Sequence, residues 1–266
     1  MKKAPAAFLG LEVAGYRLNF KSDSEGIISV LGCRYARFRG RGEGGYVFEA
    51  GQAKGSQSPF KPAVSLKGSG LKLERGDFAA SLDLGSGRGT LAAAANEQCL
   101  DAFLRSLLSF LLIRDGGFML HSAGLVKKGK AYLFLGKSGA GKSTLSKLAA
   151  EAGAEVISDE INLVRPVKGR YRVYGSPFWG EMRADGRPGS WPLGGIFLLK
   201  KAKAVRLTPC PGSEALKLLL RCLVTFDRSP GAGTAVLANA ARLLAKAKFS
   251  RLEFAKESAD FLGFLK

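Results

Sequence analysis

Gly136-Lys137-Ser138-Gly139-Ala140-Gly141-Lys142-Ser143, followed by Thr144, satisfies the spacing G-x-x-x-x-G-K-[ST] at every fixed position. The chemistry such a run serves is phosphate binding. Its glycines let successive backbone N–H groups turn toward phosphate oxygens, and a helix beginning at the lysine adds the positive end of its dipole. Lys142 would reach the terminal phosphates as a point charge, and the Ser143 hydroxyl would ligate Mg²⁺. The pattern carries meaning only between an apolar strand and a helix. Here AYLFLG precedes it and an amphipathic stretch follows. The expected ligands are therefore ATP and Mg²⁺, with Gly136 to Thr144 as the binding loop. The loop contacts phosphates alone and leaves the base undetermined.

A second chemical group follows. EVISDE reads as a short apolar strand ending in a double carboxylate, Asp159-Glu160, directly after Ser158. In phosphate-loop proteins a strand-end carboxylate holds the metal with its water shell, a role open to Asp159. A solvated strand end is the plainer alternative. Upstream, FMLHSAGLV carries His121, the only histidine in 266 residues. Taken alone, a histidine on an apolar strand is most often a core residue. Placed one hairpin before a phosphate loop and an acidic strand end, it becomes a candidate for the site. Farther on, GSPFWGEMR offers Glu181 and Arg183. A carboxylate and a guanidinium beside a transferring phosphate are chemically apt; a surface ion pair is the competing reading.

Taken in order, LHSAGLVKKGKAYLFLGKSGAGKSTLS and VISDE resemble the HPr kinase/phosphorylase superfamily. More narrowly, they are similar to the small HPr-kinase-like proteins that often accompany modified-peptide biosynthesis genes. Phosphoenolpyruvate carboxykinases share the same order of histidine, phosphate loop and acidic pair. The resemblance implies an α/β fold with a P-loop HPr-kinase/PEP-carboxykinase-like core and a mixed sheet. It makes Lys142 and Ser143 the phosphate and Mg²⁺ ligands, and Asp159 either the base for the acceptor hydroxyl or a metal-shell carboxylate. His121 would sit beside the γ-phosphate, as a metal ligand or as the group that orients the catalytic carboxylate. The family usually has aspartate where this chain has Glu160. The extra methylene leaves direct and water-bridged ligation both open. Glu181 and Arg183 match the E-x-R that begins the HPr kinase signature. Ala184 and Asp185 replace the glycine pair that completes it, so the phosphorylase half-reaction is not carried over.

These residues need elements to hold them. From 96 to 266 the pattern is that of a P-loop kinase-like α/β domain. A helix at 97–113 carries Leu100, Phe103, Leu104, Leu107, Leu108 and Leu111 at helical spacing. Two strands, FMLHSAGLV and AYLFLG, join through the polar turn KKGK. A helix at 142–152 follows the loop and ends at Gly153. Strands YRVYG, GGIFLLK and SRLEFAK and helices SEALKLLLRCLV and GTAVLANAARLLAKAK complete the block. Residues 1–95 read as a β-rich N-terminal region. YRLNF, GIISVLG, GYVFEA, AVSLKG and LKLERGDFAASLDL alternate apolar and polar residues between turns. RFRGRGEGGY and GSGRG read as hairpin loops.

Composition bounds the remaining choices. With 46% hydrophobic and 24% charged residues the chain is globular. No apolar run reaches the roughly 18 uncharged residues of a membrane span, and no signal peptide is recognisable. Four separated cysteines, Cys33, Cys99, Cys210 and Cys222, lack metal-ligand spacing, so reduced thiols in a cytoplasm are expected. A net charge of +19 draws anionic partners, but the basic residues are scattered and form no nucleic-acid motif. The leading expectation is an ATP-dependent kinase acting on a hydroxyl, Ser or Thr, of a peptide or small protein such as a modified-peptide precursor. A nucleotide-binding regulatory or nucleic-acid-associated protein is the alternative from another class, with carboxykinase-like chemistry behind it. A homo-oligomer is left open.

Overall fold

The computed structural model describes residues 6–40, 44–54, 61–180 and 186–266. Contacts divide the chain into two units. One runs to Leu111 and includes Thr225–Pro230; the other comprises Leu112–Val224 and Gly231–Lys266. The architecture is mixed α/β, with a mixed sheet in each unit and a β-rich N-terminus.

In the first unit, β1 (Ala7–Val13) and β2 (Tyr16–Ser22) pair antiparallel. Next comes α1 (Glu25–Arg34), where the GIISVLG pattern predicts a strand. The helix forms because Ser24 caps it, its hydroxyl accepting the Ile27 N–H, and Glu25 favours the positive first turn. Ile27 and Leu31, four residues apart, then share one fully buried face. Next come β3 (Tyr46–Gln52), β4 (Ala63–Lys67), β5 (Gly70–Arg75), β6 (Phe78–Asp83) and β7 (Arg88–Ala93). The strand order is β1-β2-β3-β7-β6-β5-β4. β3 runs parallel to both β2 and β7. RFRGRGEGGY therefore lies in a crossover connection, not the hairpin loop expected for it, and its residues 41–43 lie outside the described residues. GSGRG does join an antiparallel pair, β6 and β7.

The next element, α2 (Glu97–Arg114), belongs to this unit through Leu111. Its Phe103 ring lies 6.3 Å from Phe20, 5.4 Å from Phe48 and 5.9 Å from Phe78, edge-on to each. All four rings are buried, and edge-to-face contact adds to the area they remove from water.

The second unit begins with β8 (Phe118–Lys127) and β9 (Lys130–Leu135), joined at Lys128-Gly129, both at positive φ, the geometry of a primed hairpin turn. It continues through α3 (Lys142–Glu151), β10 (Glu155–Ser158), β11 (Ile161–Val167), β12 (Arg170–Tyr174) and β13 (Ser190–Lys201). β14 (Arg206–Pro209), α4 (Gly212–Cys222), α5 (Pro230–Lys246) and β15 (Phe249–Phe254) complete it. The long strands β8 and β13 each serve three ladders, and hydrogen bonding closes into a ring, β8-β11-β12-β13-β9-β8. On one face of these strands Phe118, Leu120, Leu133, Val164, Val173 and Ile196 pack with Leu219 of α4 and Leu243 of α5. On the opposite face of β9, Phe134 packs with Leu145 of α3 and with Phe254 and Phe261. β9, which leads into the glycine loop, is thus buried on both faces, as strands at the centre of α/β folds are.

No helix of the described residues is long and apolar enough to cross a membrane. Phe103→Ala should cost the first unit about 3–5 kcal/mol. Urea unfolding followed by circular dichroism reads that loss directly.

Candidate functional site

β8 organises the site. Its residues 122–127 pair with β9, which delivers the glycine loop. Along its other edge it pairs with β10 and then β11, Ser158 opposite Gly124 and Ile161 opposite His121. Asp159-Glu160 is the short break between those two partners, so register brings the acidic pair beside His121. The break is fixed locally as well. The Ser158 hydroxyl accepts the N–H groups of Glu160 (3.2 Å) and Ile161 (3.1 Å), a turn that serine supplies through its own side chain. The Ser122 N–H donates to the Glu160 carbonyl at 3.0 Å. Asn162, fully buried on β11, donates to the Ser122 carbonyl at 2.7 Å and to its hydroxyl at 3.0 Å.

The loop between β9 and α3 is shaped by its glycines. Gly141 caps α3 at φ 98°, and a Cβ there would stand 2.7 Å from the Phe254 ring. Only glycine meets both conditions. No side chain caps this helix, so its first-turn N–H groups are not occupied by a capping oxygen. Lys142 is buried, and its Nζ donates to the carbonyls of Gly136 (3.0 Å) and Lys137 (3.4 Å). The Gly136 carbonyl also takes the Cys222 thiol of α4, at 3.8 Å. Burial pushes that thiol upward from its ordinary pKa, keeping it a neutral donor.

His121, Lys142, Ser143, Thr144, Asp159 and Glu160 line one cleft of about 290 Å³, with Ser138 and Gly139 of the loop. The His121 side chain is 41% exposed, outside the apolar core, and its Nδ1 lies 3.7 Å from Glu160 Oε1. Asp159 is 5% exposed. A Cβ on Gly180 would come within 2.5 Å of Asp159 Oδ1 and 2.7 Å of Glu160 Cβ. Gly180 therefore lies directly against the acidic pair, while Glu181 and Arg183 of GSPFWGEMR lie outside the described residues. Gly136, Lys137 and Ala140 line an adjoining cleft instead. Lys201, at the end of β13, lines both. No sequence motif marks it: it reaches the site because β13 runs parallel to β9 and brings its C-terminal end beside the loop.

Among the described residues no group of three or more His, Cys, Asp or Glu is arranged to hold a metal by itself. Mg²⁺ does not require one. It is usually bound through one or two carboxylates plus substrate phosphates and water, and the Ser143 hydroxyl and Asp159 on one cleft fit that donor set.

Residues 102–226, somewhat less than half of the chain, match the family described as SynChlorMet cassette protein ScmC. No curated protein matches the chain. Among solved structures, the Hpr(Ser) kinase/phosphatase from Coxiella burnetii is similar over 52% of this chain and 85% of its own, at 10% identity and a TM-score of 0.28.

Gly141→Ala should destabilise the protein by about 1–3 kcal/mol, through left-handed backbone strain and the collision with Phe254. Chemical unfolding of the purified variant checks this.

Proposed function

We propose that the protein is an ATP-dependent phosphotransferase of the HPr-kinase-like kind, which moves a γ-phosphoryl group to a Ser or Thr hydroxyl of a peptide or small protein. The observation that carries this reading is the convergence of His121, Lys142, Ser143, Asp159 and Glu160 on one cleft at the mouth of the glycine loop. Phosphoryl transfer asks little covalent chemistry of a protein; positioning and charge stabilisation supply most of the catalysis.

In the proposed reaction the acceptor oxygen bonds to the γ-phosphorus while the bond from that phosphorus to the ADP oxygen breaks, and the acceptor proton passes to the Asp159 carboxylate. Asp159 is suited to this because β10, Ser158 and Gly180 hold it in place, so little reorganisation is needed as the proton moves. Lys142 would exchange its carbonyl partners, Gly136 and Lys137, for phosphate oxygens and offset charge growing on the leaving group. A bound Mg²⁺, held by Ser143, would supply further neutralisation of the phosphates. His121, within 3.7 Å of Glu160, would orient that carboxylate. That proximity favours the positioning role, and Glu160 would then share the metal through a bridging water.

Incubating the protein with Mg-ATP and candidate hydroxyl-bearing peptides, followed by intact-mass analysis, tests the assignment. Lys142→Ala and Asp159→Asn should each abolish the phosphate adduct while circular dichroism stays unchanged; full transfer by either variant rules the mechanism out. His121→Asn should lower turnover by about ten- to a hundredfold at unaltered ATP affinity. Undiminished turnover would remove His121 from the site.

A further inference from the structure

Helix α5 is apolar on both of its faces. One face belongs to the core: Val236, Ala240 and Leu243 are buried, and Asn239 among them donates to the Ile113 carbonyl at 2.7 Å. The other face is turned to solvent, yet it carries Leu237 at 55% exposure, with Ala238, Ala241 and Ala245 exposed beside it and Leu244 half-buried at its edge. A surface helix ordinarily places charged and polar residues there. Leu237, Ala241 and Leu244 fall at i, i+4 and i+7, a continuous seam about 10 Å long.

A row of cations runs alongside that seam. Arg242 and Lys246, four residues apart and both exposed, occupy the neighbouring row of the helix. Arg242 donates to the Asn239 amide oxygen. Lys246 donates to the Gly169 carbonyl at 3.2 Å, which puts the β11–β12 turn, with exposed Lys168 and Arg170, at the same end of α5. None of these four cations has a carboxylate within salt-bridge distance among the described residues. No Asp or Glu occurs from Pro230 to Lys248 or from Ile161 to Tyr174.

We propose that this face of α5 docks an amphipathic helix of a partner protein, apolar where it meets Leu237 and acidic along the flank that meets Arg242, Lys246 and the β11–β12 turn. The proposal is independent of the glycine loop and its chemistry. The alanines leave shallow holes between Leu237 and Leu244, in which a partner's larger side chains seat, the packing of one helix laid along another. Charge selects the occupant. A second copy of this chain brings the same cations and a net charge of +19. Paired antiparallel, its Arg242 and Lys246 would face the first turn of α5, the positive dipole end, which carries no acidic residue. Paired in parallel, the cations would face one another. A nucleic acid would engage the cations through its phosphates and leave Leu237 in water. An acidic amphipathic helix satisfies the seam and the cations together, and lying antiparallel it brings its own acidic first turn over Lys246.

Fluorescence anisotropy of the full chain with two labelled three-heptad peptides tests the proposal. Both peptides carry leucine at positions a and d, and their flanks are glutamate in one and lysine in the other. The protein should bind the glutamate peptide at least about tenfold more tightly than the lysine peptide, and less tightly as salt rises. Leu237→Glu should weaken that binding by about tenfold or more, and Lys246→Glu by about threefold with a flatter salt dependence. Both positions are exposed, so circular dichroism should stay unchanged; Leu237→Ser, a milder change, takes the place of Leu237→Glu should that variant fold poorly. Failure to bind the glutamate peptide, equal binding of the two peptides, or binding indifferent to the Leu237 variants would overturn the proposal. So would dimerisation in sedimentation equilibrium that Leu237→Glu abolishes, which would make a second copy the occupant. Flotation with phosphatidylserine-containing vesicles that is lost in the same variant would make it a lipid surface instead, and would overturn the proposal equally.

Discussion

The arrangement depends on one strand serving several partners at once. β8 pairs with β9 along one edge and with β10 and β11 along the other. Antiparallel register leaves no slack in such a ladder, because a slip of one residue would turn every side chain to the wrong face. The glycine loop continues β9, the acidic pair interrupts the partner on the opposite edge, and His121 belongs to β8 itself. Three chemical groups from separate parts of the chain are therefore referenced to a single backbone. The burial of Phe118, Leu120 and Leu125 makes that backbone rigid, and close-packed interiors tolerate little movement.

Charge is distributed with equal economy. A chain at +19 carries a general self-repulsion, and several surface cations are offset by carboxylates, as in Arg187–Glu155 and Lys200–Glu253. Beside the glycine loop, Lys142 donates to the carbonyls of Gly136 and Lys137, and Lys201 stands where the two clefts meet. An anionic ligand there gains from several cations at once, in a setting partly screened from water where each interaction is stronger than on the open surface.

Much of the local structure around the glycine loop was legible in the sequence because it is written in local patterns. The glycine loop, the hairpin before it and the helix after it each follow from contiguous residues, and Lys128-Gly129 turns the chain as KKGK predicts. Other elements were not legible. GIISVLG favours a strand by composition but becomes α1, since a cap at Ser24 and the burial of Ile27 and Leu31 outweigh β-propensity. The crossover that makes β3 parallel to β2 and β7 was equally hidden, because strand order is a property of pairing and not of any one segment.

The sequence by itself determined which groups are available: a glycine loop with Lys142 and Ser143, a carboxylate pair at 159–160, and one histidine. Each is recognisable because its chemistry depends on residue type and short spacing. Only the tertiary structure decided that they share a cleft, that His121 faces Glu160 and not the core, and that Lys201 and Gly180 complete the surroundings. Those relations arise from ladders joining residues tens of positions apart. β13 brings Lys201 to the loop by running parallel to β9, and Gly180 reaches Asp159 because only a residue without a side chain can pass so close. Long-range pairing of this kind leaves no trace in neighbouring residues, since the energy that selects it is gained only when the whole core closes.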